Sequence, residues 1–359
     1  MKVRGCEGAR VRGARVPGAR VRGARVRGAK VRSLALVAIV LCFSAQPAQA
    51  YLHLTFAVGS TPTPLKWDTP RVRWFATDRG APGVSASQFQ TAVASAFGTW
   101  EAVPTASIAF QFAGFTGAVP FEDDGISVFG FDEEPDLDRV LGATTFVVDI
   151  LTGEIVESDV FFNSIFTWST AAAGEQGRFD LQSVAVHEIG HFVGLGHSAL
   201  GETEIRPEGG RRVLGSAAVM FPISLGRGVT ADRTLQPDDI AGVSDLYPDG
   251  DFRDRTGAIV GRVVRNGSGL IGAHIVAFDP RTRVLVGGFS LGEGGAFQIG
   301  GLAPGAHVIR VEPLDDADID SFFSPLDVDV DFQVTFHSRL VVAPEGGAGE
   351  RFEVAVRPK

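Results

Sequence analysis

His187-Glu188-Ile189-Gly190-His191-Phe192-Val193-Gly194-Leu195-Gly196-His197 is the stretch on which the reading of this chain turns. Its first two histidines stand four residues apart, so on a helix their side chains share one face, one turn apart. Two imidazoles so placed reach a single zinc ion at about 2.0–2.1 Å from each nitrogen. Glu188 projects beside that face, within reach of a water on the ion rather than of the ion itself. Gly194 can take positive φ and end the helix, which lets the chain turn and bring His197 in from another side. Three neutral nitrogens leave the fourth tetrahedral position open, as in a catalytic rather than a structural site. The competing reading, chance histidines on an amphipathic helix, leaves the third histidine, the turn glycine and the downstream Met220 unexplained. The other four of the seven histidines have no ligand spacing of their own.

Outward from that helix, expected over Leu181 to Val193 with Asp180 as its cap, the pattern is mixed. Arg71 to Phe75, Ser107 to Phe112, Ile126 to Phe131, Ala143 to Ile150 and Ile155 to Phe162 read as strands, the last two joined by a turn at Thr152-Gly153. Ser85 is placed to cap a helix whose stripe of Phe89, Val93, Ala96, Phe97 and Trp100 packs into the core. A further helix is expected from Pro237 to Tyr247, after a Gly- and Arg-containing loop leading to Met220. Asp249-Gly250-Asp251 reads as a linker. From Thr256 onward only short β-type runs separated by Gly and Pro remain, among them Val328 to Phe336. The expected fold is therefore α+β over residues 67–250, a twisted mixed sheet with three helices, followed by an all-β sandwich over 256–359.

Charge divides the 359-residue chain unevenly. Eleven of its 33 basic residues and one of its 42 acidic ones precede Tyr51, so the remainder carries 22 against 41, near −19. So acidic a body argues against nucleic acid or an anionic membrane as partner. The basic stretch, residues 1–50, combines a five-residue GAR-type repeat with the apolar run Leu34 to Phe43 and the exit Ala48-Gln49-Ala50. Those are the parts of a secretory signal peptide, too short to span a bilayer, and secretion after cleavage near Ala50 is the expectation. The repeat makes the n-region long, and a true start near Val31 is expected. Both cysteines, Cys6 and Cys42, precede the cleavage point, so neither a disulfide nor a thiolate ligand is expected in residues 51–359.

The eleven-residue stretch, followed by Ala218-Val219-Met220-Phe221-Pro222, resembles the metzincin pattern of zinc peptidases. Ser198 after the third histidine, Pro222 two places after Met220, and Leu235-Gln236-Pro237-Asp238-Asp239-Ile240 leading to Leu246-Tyr247 are similar to the matrixin branch. The resemblance, covering roughly Trp67 to Pro248, implies an endopeptidase acting on protein or peptide substrates. It implies His187, His191 and His197 as zinc ligands and Glu188 as general base. Met220 would form an apolar floor beneath the ion, and an extended substrate would pair with a strand including Ala143, Thr144, Thr145 and Phe146. Pro222 stands where astacin-like and serralysin-like relatives carry a tyrosine ligand, and the segment from Glu202 to Arg212 is a polar insertion. A second, structural zinc and a propeptide cysteine switch are not expected. For calcium, Asp123, Asp124, Asp132, Asp136, Asp138, Asp149 and Asp159 offer hard oxygens, against the plainer reading of solvated loop carboxylates.

In the C-terminal part, Gly257 to Val263, Leu270 to Ile275 and Gly295 to Gly305 resemble a carboxypeptidase-regulatory-like, transthyretin-like sandwich, which implies no catalysis. Asp327, Asp329 and Asp331, alternating with valines, read as the solvated face of one strand. The rival expectation for the whole chain is a secreted binding or adhesion protein with an inert peptidase fold. It predicts degraded motif residues, and none is degraded.

Overall fold

The computed structural model describes residues 53–58, 61–69, 71–207, 209–323 and 328–359; the expected targeting segment lies outside the described residues. A hairpin of β1 (Thr55–Val58) and β2 (Thr61–Pro64) leads to β3 (Arg71–Thr77), α1 (Ala86–Glu101), β4 (Ala109–Thr116) and β5 (Val128–Asp132). Next come β6 (Gly142–Val148), β7 (Ile155–Asn163), the two-residue strands β8 (Trp168–Ser169) and β9 (Phe179–Asp180), and α2 (Leu181–Phe192). Hairpin β10 (Gly201–Ile205) and β11 (Arg211–Ser216), then α3 (Pro237–Leu246) and one-turn α4 (Phe252–Arg255), complete this half.

The mixed sheet runs β4-β3-β5-β7-β6. Its first four strands are parallel, and β6 pairs antiparallel with β7 at the edge. Helix α1 packs against β3 and β4, and α2 against β6, β7 and α1. Ser85 caps α1 in a capping box with Gln88, and the predicted stripe from Phe89 to Trp100 is buried. Its aromatic rings join those of the sheet, with Trp74 stacked on Phe97 at 4.7 Å and Phe97 against Phe192 of α2 at 5.6 Å. Each such fully buried side chain stabilises the fold by about 1.5–3 kcal/mol.

The C-terminal half consists of β12 (Gly257–Arg265), β13 (Ser268–Gly269), β14 (His274–Phe278), β15 (Leu285–Phe289), β16 (Ala296–Leu302), β17 (Gly305–Glu312), β18 (Thr335–Phe336), β19 (Val341–Ala343) and β20 (Phe352–Val356). One sheet orders β13-β12-β16 with β20 also on β12; the other orders β15-β14-β17-β18 with β19 also on β17. Ile259, Val263, Phe297 and Val354 of the first sheet share a buried cluster with Ile275, Val286, Ile309 and Val311 of the second. No helix among the described residues is long and apolar enough to cross a membrane.

Three expectations change. The polar insertion is a hairpin, its turn carried by Gly209 and Gly210 at φ 92° and 79°. The linker includes a helical turn, because the Phe252 and Asp251 carbonyls accept from Thr256 and Arg255. Residues 328–334 are not a strand, and only Thr335–Phe336 of that run pairs. There the Asp331 amide donates to Asp329 Oδ1 at 2.9 Å, and Arg265 pairs with the Asp329 carboxylate and donates to the Asp331 carbonyl. Side chains thus take up backbone groups that a ladder would have used, and Asp327 lies outside the described residues.

Candidate metal centre

Helix α2 is buried along nearly its whole length, so every polar group on it needs a partner. Asp180 caps its start by accepting from the Ser183 amide at 2.8 Å, and Arg233 pairs with the same carboxylate. At the far end the Phe192 carbonyl accepts from Trp67 Nε1 at 2.8 Å and the Val193 carbonyl from the Tyr247 hydroxyl at 2.8 Å. Gly194 then turns the chain with φ 101°. A Cβ there would stand 2.0 Å from the Leu65 carbonyl oxygen, so both the conformation and the space require glycine. The N-terminal segment locks onto this turn, with the Leu54 amide donating to the Gly194 carbonyl at 2.9 Å.

The turn brings His197 to the face carrying His187 and His191. One ligand nitrogen from each of the three lies within 4.8 Å of the others. Each Nδ1 sits on a main-chain carbonyl: His187 on Val219 at 2.7 Å, His191 on Leu195 at 2.8 Å, His197 on Ser321 at 2.6 Å. A carbonyl only accepts, which assigns the proton to Nδ1 and leaves Nε2 as a lone pair. The Nε2 atoms of His187 and His191 are 3.1 Å apart. Two bare lone pairs at that distance repel until a cation sits between them. The donor set therefore fits a divalent ion that accepts three imidazoles. Burial and the neighbouring histidines push His187 down to about 3 and His191 well below its usual value, so both rings are neutral.

Glu188 is fully buried. Its Oε2 accepts from Thr144 Oγ1 at 2.8 Å, while Oε1 has no hydrogen-bond partner. Burial pushes this carboxyl up to about 8, against the pull of the Thr144 bond. A cation held by the neighbouring imidazoles would pull this value back down and favour the carboxylate form.

Met220 is buried beneath α2, and a Cβ on Gly190 would meet its Sδ at 2.2 Å and Trp100 Cζ2 at 2.9 Å. Asp239 holds this turn by accepting from the Val219 amide at 2.9 Å, the Met220 amide at 3.1 Å and the Gln236 amide at 2.8 Å. Its neighbour Asp238 accepts from Ser198 Oγ at 2.6 Å and from the Gly287 amide at 2.7 Å, tying the third histidine's loop to the C-terminal half.

Residues 66–207 match the matrixin family. This domain is matrixin-like. Metalloendoproteinase 1 of Glycine max is 32% identical over 176 residues, which cover 44% of this chain and 45% of that protein. Metalloendoproteinase 4-MMP of Arabidopsis thaliana is 28% identical over 178 residues, 48% of this chain and 44% of that protein. Metalloendoproteinase 5-MMP, also of Arabidopsis thaliana, is 42% identical over 77 residues, 20% of this chain and 16% of that protein. The chain thus spans less than half the length of these relatives, and the matrixin family implies zinc.

Within the matrixin-like domain, Ala143 to Phe146 lie on β6, whose outer edge carries no partner strand among the described residues. Thr144 does not face outward there, since its side chain is buried against Glu188. Of the aspartates considered for calcium, Asp159 is buried and accepts from the Phe121 and Val128 amides at 2.8 Å each, and Asp149 accepts from the Leu151 amide at 2.8 Å. Sequence reasoning missed Gly190, Asp239 and Ser321. Only the first carried a local signal, a glycine inside a helix.

Proposed function

We propose that the chain is a zinc-dependent endopeptidase, with His187, His191 and His197 holding the ion and Glu188 as general base. The observation that carries this reading is the common arrangement of the three imidazoles. Each donates Nδ1–H to a carbonyl and turns Nε2 inward beside a buried carboxylate. Zinc, when bound, supplies a water acidified to a pKa of about 7 and Lewis acidity toward the scissile carbonyl. Glu188 Oε1 takes the proton as water adds to that carbonyl, and the same oxygen delivers it to the leaving nitrogen. Thr144 keeps Oε2 engaged throughout, which fixes the carboxylate's orientation. The outer edge of β6 would take an extended substrate as an added strand, main chain to main chain. Secretion follows the signal-type segment ending at Ala50, and the two C-terminal sheets with their shared core support a carboxypeptidase-regulatory-like sandwich.

Glu188→Gln tests the centre of this reading. The variant should bind zinc one-to-one as the parent does and lose about 10²–10⁴-fold in casein cleavage. Chelator should abolish the parent's activity in a casein or gelatin zymogram. Cleavage that survives either treatment refutes the mechanism, and an inactive parent that still binds zinc would favour a binding role.

A further inference from the structure

The carbonyls serving His187 and His191 come from the N-terminal half, at Val219 and Leu195. The one serving His197 comes from Ser321, 124 residues further along, in the segment that leaves β17 of the C-terminal half. We propose that residues 313–323 complete the metal centre by positioning His197, so that the C-terminal half sets the affinity for the ion. The inference rests on the zinc-site reading above.

Two further sets of contacts hold the segment in place. Phe322 lies edge-on to the His197 ring at 6.1 Å between centroids, and packs with Phe323, Leu314 and Ala317 against Ala199, Phe221 and Ile223. Those last three residues flank the third histidine and Met220, so the apolar contact bears on the site's own loops. The second set is polar and uses the β10–β11 hairpin. The Thr203 amide donates to Asp316 Oδ1 at 2.8 Å and its hydroxyl to the Asp316 carbonyl at 2.6 Å. Arg211 donates to the Asp315 carbonyl at 2.6 Å and stands 3.6 Å from Asp318 Oδ1. The insertion in the first half and the long excursion between β17 and β18 in the second are thus two sides of one clasp.

The chemical consequence concerns a tautomer. A neutral imidazole carries one proton, and the nitrogen that keeps it is the one whose partner accepts it. Without the Ser321 carbonyl, His197 Nδ1 loses that acceptor, and the preference for the tautomer that leaves Nε2 to ligate weakens. Partners of this kind typically account for 10–100-fold in metal affinity.

The test uses the full chain and zinc or cobalt(II) as probe. Phe322→Ala removes the ring against His197. Arg211→Ala opens the clasp from a side chain outside the core, which guards against a Phe322 variant that fails to fold. Val263→Ala, in the buried cluster of the C-terminal sheets, supplies a control that lowers Tm away from the site. Zinc Kd by chelator competition and the visible spectrum of the cobalt form are read alongside Tm. The expected result is 10–100-fold weaker zinc binding and an altered cobalt spectrum in the first two variants, with Kd and spectrum unchanged in Val263→Ala. If all three variants lose Tm while keeping the parent's Kd and spectrum, the segment is merely structural and the proposal fails. A parent that binds neither ion one-to-one would overturn the zinc-site reading itself.

Discussion

Gly194→Ala isolates the turn on which the third ligand depends. The native φ of 101° costs an alanine about 1–2 kcal/mol. Its Cβ would stand 2.0 Å from the Leu65 carbonyl oxygen, a backbone atom that no rotamer change can move. Restoring ordinary contact means displacing the turn or the segment at Leu65 by roughly 1.5 Å, with a penalty of the overpacking kind, about 1–3 kcal/mol. That displacement also breaks the 2.9 Å bond from the Leu54 amide to the Gly194 carbonyl, worth about 1 kcal/mol. Together these come to about 3–6 kcal/mol, or a fall in Tm of roughly 6–24 °C for a domain of this size. Because His197 follows three residues later, zinc affinity should fall at least about tenfold as well. Thermal melts in chelator and zinc titrations by competition read the two effects separately. Gly98→Ala provides the contrast: an exposed glycine in α1 with open space around its Cβ, it should gain about 0.5–1 kcal/mol. A Gly194→Ala protein melting within about 2 °C of the parent, with zinc affinity unchanged, would refute the reasoning.

Other expectations follow from the same site. Asp239→Ala strips an acceptor from the Val219, Met220 and Gln236 amides and should lower stability by about 2–4 kcal/mol in urea unfolding, since buried donors would be left unsatisfied. Thr145→Pro on β6 should raise KM for peptide substrates at least about tenfold with little change in Tm; unaltered kinetics would remove that edge from substrate binding. Burial pushes Asp159 up to about 7, although the Val128 and Phe121 amides pull it down. The folded state therefore keeps a proton that the unfolded chain releases near pH 4. The stability this group contributes is fully present below pH 4 and is lost as pH rises toward 7. Urea midpoints measured across that range should fall more steeply for the parent than for Asp159→Asn, and parallel slopes would show that Asp159 is not the group responsible.

The site was legible in the sequence where its geometry is local. Two histidines one helical turn apart, and a glycine that must turn the chain before a third, are dictated by α2 and its exit alone. What stayed hidden is held together across the fold. Thr144 reaches Glu188 from a strand 44 residues earlier, and Asp239 reaches the Met220 turn from the next helix. No spacing rule encodes Ser321. The strands were found where buried apolar residues alternate with exposed ones, as in β3, or run together, as at the end of β7. They were misjudged where a side chain took over a backbone partner, as Asp329 does for Asp331. The β10–β11 hairpin was read as loop because its two strands are polar and largely exposed, so no buried face marks them. Its Gly209-Gly210 pair was the turn signal present.

The neutral state of the buried imidazoles has an acid–base consequence. His187 and His191 take up no protons in the folded state until pH is far below 6.5, whereas the unfolded chain protonates them near that value. A divalent ion arriving at pH 6 thus displaces no proton from either of these two rings. The metal-free protein, in turn, loses stability as pH falls below 6.5, because unfolding is the route by which these rings gain protons. At His187 and His191, acid then acts by opening the fold around the rings rather than by protonating them in place.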